Sequence, residues 1–221
     1  TDGEQSVTLQ HLLIGEVWLC AGQSNMVMPL NGFDYCPISD SNNVIADAPN
    51  HPGIRMVTIK PTVKLSPQEY AEGSWQQPTT ENAPKFSAAA YHYALTLQRT
   101  LQIPIGVITC AWGGSRVEGW LPKEILQTYK DEDLTLIGSD KTPVYLQSML
   151  MYNGILYPCH KYTIKGFIWY QGESNVRSSR TYAERLATMV KHWRSIWKQG
   201  DLPFYYVETV PFACEYKEDG Y

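Results

Sequence analysis

At 221 residues the chain suits one domain of the larger kind, and its 43% hydrophobic and 18% charged residues exclude a disordered protein. A net charge of −4 gives no electrostatic footprint for nucleic acid or for an anionic membrane surface. No apolar run approaches the roughly 18 residues of a membrane span.

The chain opens Thr-Asp-Gly-Glu-Gln, without an initiator methionine or a signal peptide, and reads as a processed or cut end. The apolar run at 15–21 predicts a first strand, covered on both faces. It enters Gly22-Gln23-Ser24-Asn25. Residues 31–53, rich in Asn, Asp, Pro and Gly, predict a long irregular loop. Ile54–Lys60 predicts a second strand, and the proline-bearing stretch 61–85 another loop. Phe86, Ala89, Ala90, Tyr93, Ala94, Leu97 and Leu101 recur at helical spacing and predict a helix over 86–101. Pro104 separates it from a third strand, 105–112, which enters Gly113-Gly114-Ser115.

Short helices are expected near 122–130 and 144–153. A fourth strand, 164–171, enters Gly172-Glu173-Ser174-Asn175. Thr181 and Glu184 match a capping box, opening a helix with Tyr182, Leu186, Met189, Val190, Trp193 and Trp197 on one face. Residues 204–210 predict a fifth strand. Strands alternating with helices imply a parallel sheet covered on both sides, with ligands beyond the carboxyl ends of the strands. Three of those ends carry small polar clusters: GQSN, WGGS and QGESN.

Each cluster has a plain structural explanation and a chemical one. Ser24 is an ordinary helix N-cap or a nucleophile presented on a tight turn. The surroundings lack the G-x-S-x-G elbow of the α/β-hydrolases. Gly113 and Gly114 form a simple turn, or bring a backbone amide against a ligand. Gln171 and Asn175 brace an Asx-type turn or donate to a developing oxyanion. The 7 Trp and 15 Tyr serve a core or the walls of a sugar cleft. The five cysteines are an odd number without CxxC or zinc-site spacing. Cys20 and Cys110 read as small core residues, and a disulfide among Cys36, Cys159 and Cys214 stays unassigned.

In this order the three blocks resemble the SGNH-hydrolase superfamily. More narrowly, LIGEVWLCAGQSNM with MYNGILYPCHKYTIKGFIWYQGESN resembles the sialate O-acetylesterase family, over about residues 12–210. The resemblance implies a three-layer α/β/α fold with a five-stranded parallel sheet, SGNH-hydrolase (flavodoxin-like) type. It also implies a serine esterase that removes acetyl groups from sialic acid or related sugars. The alternatives are an acetylxylan or other polysaccharide acetylesterase, and a non-catalytic carbohydrate-binding relative. Ser24 is then the nucleophile, and the amides of Ser24 and Gly114 line the oxyanion hole. Gln171 is the third donor, with Asn175 its alternative. No metal or organic cofactor is implied.

For the substrate, Arg116 is the candidate partner of a sialic acid carboxylate, or else a surface arginine paired with Glu118. Trp120, Trp112 and Tyr170 are candidate sugar platforms, and Glu173 orients a neighbouring donor or braces the loop. The expected partner is an O-acetylated sugar, with no nucleic acid, and the location periplasmic or extracellular. The family's C-terminal Asp-x-x-His block does not occur here. Among His11, His51, His92, His160 and His192, only His160 is a conceivable stand-in for its base. Residues 1–13 are accordingly expected to be the tail of a preceding β-rich module or an entry segment. Residues 14–221 would be an SGNH-type esterase domain that stops short of that block.

Overall fold

A computed structural model describes residues 10–210, with Gly3 and Thr8 besides. Five parallel strands form one sheet in the order β2-β3-β1-β4-β5. They are β1 (Glu16–Gly22), β2 (Ile54–Thr58), β3 (Ile105–Ala111), β4 (Gly166–Tyr170) and β5 (Phe204–Tyr206). The order departs from the 2-1-3-4-5 arrangement of flavodoxin. The chain leaving β1 passes to the far edge and forms β2, and β3 then fills the vacant place beside β1.

Successive side chains of a strand point to opposite faces, and β1 uses both for burial. Trp18 and Cys20 join one core, with Met26, Tyr91, Ala94 and Leu95. Leu19 and Ala21 join the other, with Trp120, Ile155, Met189, Trp193 and Trp197. The first core is roofed by α1 (Ser24–Val27) and α3 (Ala88–Leu101). The second is roofed by α5 (Ser179–Trp197) and the irregular segment 117–164, which contains α4 (Lys123–Leu126). Three layers result, as the strand–helix alternation requires.

The helices differ from expectation at their ends. Within the predicted loop 31–53, α2 (Ser41–Asp47) forms a short helix, entered through Asp40 in the left-handed region at φ 62°. The stripe at 86–101 becomes helical only at Ala88, because the Ser87 hydroxyl accepts from the Ala90 amide and caps it. α5 starts at Ser179, two residues before the predicted box, and Thr181 Oγ donates to the Ser178 carbonyl instead. The region 144–153 splits into a 3₁₀ turn at Val144–Leu146 and a helix closing in a π-helical turn at Tyr152–Leu156. The fifth strand is only three residues long.

Cys20 and Cys110 are fully buried, as expected of core residues. Cys159 lies against Cys110, with sulfurs 3.8 Å apart, and Cys36 is exposed. Cys214 lies outside the described residues.

Candidate active site

The site follows from strand register. Gly22 pairs with Ala111 on one side and Tyr170 on the other, so β3, β1 and β4 end at one level. Their next residues are the three polar clusters, which therefore leave the sheet side by side. Gly22, at φ 146°, is forced by crowding: a Cβ there would lie 2.1 Å from the Tyr170 carbonyl oxygen. Gly114 is fixed likewise, by φ 73° and the Tyr145 ring 2.8 Å from where a Cβ would stand.

Gln23 laces the two turns together. Its amide donates to the Tyr170 carbonyl at 3.0 Å, and its Oε1 accepts from the amides of Gly172 and Ser174, both at 3.3 Å. Next to it, Asn25 Nδ2 donates to Glu173 Oε1 at 2.6 Å. Glu173 Oε2 is buried and has no partner. Between these anchors stands Ser24, half-buried at the first position of α1. Among the described residues its Oγ makes no hydrogen bond, and the amides of Ser24 and Gly114 are likewise unengaged. A hydroxyl and two free N–H groups are what acyl transfer asks of a site.

The two carboxamides lie elsewhere. Gln171, 2% exposed, donates to the Ser115 carbonyl at 3.0 Å and to Asn175 Oδ1 at 2.8 Å, so both its amide hydrogens are committed. Asn175 Oδ1 also accepts from the Val117 amide, and its Nδ2 donates to Glu118 and Ser178. As arranged, neither keeps a free N–H for an oxyanion, because each looks inward to the network that holds its turn. Tyr182 reinforces that turn by donating to the Gln171 carbonyl at 2.8 Å. Burial pushes its hydroxyl up to about 12, so it stays protonated.

Arg116 is not a free cation. Its guanidinium meets Glu132 at 2.7 Å and donates through Nε to the Leu146 carbonyl at 3.0 Å, while Glu118 stands at 3.8 Å. The fork that suits a substrate carboxylate is thus occupied by one of the protein's own. Glu118, fully buried, pairs also with Arg185. Trp120 is not a sugar platform: it is fully buried, donates to Ser115 Oγ at 3.0 Å and meets Trp169 edge-on. Trp112 and Tyr170 are partly exposed.

Three of the histidines are engaged by neighbouring groups. His51 bonds to Asp47 and His192 to the Tyr152 hydroxyl. His160 lies 2.6 Å from the Tyr157 carbonyl. Two residues beyond it, Tyr162 packs on Trp75, which abuts Gly106 near the start of β3. His160 therefore sits toward the opposite end of the sheet from Ser24. No three of His, Cys, Asp and Glu are grouped to hold a metal ion among the described residues.

Gln23, Asn25 and Glu132 had no role assigned to them from the sequence. Only Gln23 and Asn25 left a trace there, as carboxamides flanking the serine.

The family profile described as carbohydrate esterase, sialic acid-specific acetylesterase, matches residues 14–219. The chain belongs to this acetylesterase family. Sialate O-acetylesterases of Homo sapiens and Pongo abelii are each 27% identical over 204 residues, covering 88% of this chain and 38% of theirs. That of Mus musculus is 25% identical over 263 residues, covering 99% and 48%. The chain thus spans less than half the length of these curated relatives. Among solved structures, a carbohydrate acetylesterase from Xanthomonas citri superposes with a TM-score of 0.75 at 31% identity, over 87% of this chain and 40% of that one. A protein from Arabidopsis thaliana, at 17% identity and a TM-score of 0.53 over 86% of this chain and 72% of that one, shares the fold.

Proposed function

We propose that the protein hydrolyses acetyl esters on sugar hydroxyls, sialic acids foremost, through an acetyl-serine at Ser24. One observation carries this reading: the unbonded Ser24 hydroxyl and the unengaged amides of Ser24 and Gly114 follow the adjacent ends of β1 and β3. Ser24 Oγ attacks the ester carbonyl carbon, and the carbonyl oxygen takes the negative charge toward the Ser24 and Gly114 amides. The C–O bond to the sugar then breaks, the sugar oxygen takes the proton lost by serine, and water releases acetate in a second round.

We assign the base to a histidine, which accepts the serine proton and returns it to the sugar oxygen. Glu173 Oε2, buried without a partner beside Asn25, is the acceptor that would orient the second N–H of such a ring. The name of the Xanthomonas citri neighbour supports a wider reading, in which other acetylated carbohydrates are also substrates. No helix among the described residues is long and apolar enough to cross a membrane. We place the protein in the periplasm or outside the cell, where such glycans are met.

The test compares the full-length protein with its Ser24→Ala variant on p-nitrophenyl acetate and on O-acetylated sialic acid. The variant is expected to lose at least about 10³-fold in kcat. Equal rates would remove Ser24 from the reaction.

A further inference from the structure

Two buried sulfurs meet from segments far apart in the chain. Cys110 sits on β3 and Cys159 in the 3₁₀ turn Tyr157–Cys159, 49 positions on, yet their sulfurs lie 3.8 Å apart. Both are free thiols as they stand, 0% and 8% exposed, in the core that also holds Trp120 and Ile155. Each thiol reaches the same acceptor, the Ile155 carbonyl, at 3.5 and 3.4 Å, so the two sulfurs converge on one point. Among the described residues the other cysteines have no such neighbour. Cys20 faces the opposite core, and Cys36 is exposed after α1.

A disulfide has strict geometry, and sulfurs already in van der Waals contact meet its first demand. From 3.8 Å, a bond of about 2.0 Å asks roughly 0.9 Å of each sulfur, within reach of small side-chain rotations. The loop so closed holds Gly113, Gly114 and Arg116 near its start and the irregular segment after them. Closing a long loop removes much of the freedom of the unfolded chain. It would also tie both ends of the excursion that carries the Gly114 amide, since Cys110 lies four residues before it.

We propose that Cys110 and Cys159 are joined by a disulfide, formed by exchange with a small-molecule disulfide such as oxidised glutathione as this segment folds onto the sheet. Cys159, the less buried, loses its proton and attacks one sulfur of the oxidant, releasing one small thiol. Cys110 then loses its proton, attacks the Cys159 sulfur of the mixed disulfide and expels the second. Two protein thiols are oxidised, the S–S bond of the oxidant is reduced to two thiols, and the two protons pass to these. The proposed location outside the cytoplasm is one where such bonds persist. The bond is independent of the ester chemistry proposed at Ser24.

The test is a peptide map of the full-length protein, folded with oxidised glutathione, blocked with N-ethylmaleimide in denaturant and cut with trypsin. Residues 100–116 and 142–161 form two peptides with a single cysteine each. They are expected as one linked species, lighter by two hydrogens than its parts, which separates under reductant. In thermal unfolding, a phosphine reductant should lower the midpoint of the wild type by about 5–10 °C and that of Cys159→Ala much less. Both cysteines recovered as blocked thiols, Cys159 linked to Cys36 or Cys214, or an equal effect of reductant on both proteins overturns the proposal.

Discussion

Glu173 holds Asn25 with one oxygen and leaves the other without a partner, an uncommon state for a buried carboxylate. If that oxygen orients the catalytic imidazole, Glu173→Gln should lower kcat of the full-length protein by about 10²- to 10⁴-fold, with a much smaller change in KM. An unchanged kcat would reduce the residue to a loop brace. At this scale the sequence was partly legible. Ser24 and Gly114 stood out because glycines precede them at the end of a buried strand, and Gly22 and Gly114 are in fact crowded by Tyr170 and Tyr145. Gln171, Asn175 and Arg116 turn to partners within the protein for one shared reason. Each had the right functional group, but its direction was set by Ser115, Val117, Glu118 and Glu132, residues 16 to 58 positions away. Composition and spacing do not encode that.

Among the elements, α5 was foreseen from its stripe of Tyr182, Leu186, Met189, Trp193 and Trp197, but Arg185 lies on the same buried face. Its guanidinium reaches Glu118 and Asp131 and stacks over the Tyr129 ring at 4.6 Å. The 3₁₀ turn Val117–Trp120, which follows the glycine pair, is thereby clamped to α5. Glu118→Ala should destabilise the protein by about 3–5 kcal/mol in denaturant unfolding, because it strands Arg185 and the Asn175 amide in the interior. A loss below about 1 kcal/mol would mean that Asp131 and Glu132 suffice for Arg185. Apolar periodicity cannot announce such an ion pair, since its partners are 67 residues apart.

For the molecule as a whole, strand–helix alternation was enough to predict a parallel sheet with two covered faces. Strand order was beyond reach, since apolar runs say nothing of which neighbour they pair with. The ionisable groups inside this architecture also set its response to pH. Burial holds His192 below the ordinary imidazole range, so the unfolded chain takes up that proton more readily than the folded one. Stability from this residue is complete above the unfolded pKa of about 6.5 and is lost as pH falls through it. The denaturation midpoint should therefore drop between about pH 7.5 and 5, and drop less in His192→Gln. Parallel curves for the two proteins would exclude His192 as the cause.

Gln23 bridges turns on neighbouring strands, so Ser24, the proposed nucleophile, follows a residue held by backbone amides at the sheet ends and not by the outer excursions. The exposed stretches 60–81 and 127–146 can accordingly change without moving the Ser24 hydroxyl. Glu132, which holds Arg116, lies in the second of them. Changes on the periphery can thus leave the turn that carries Ser24 where it is.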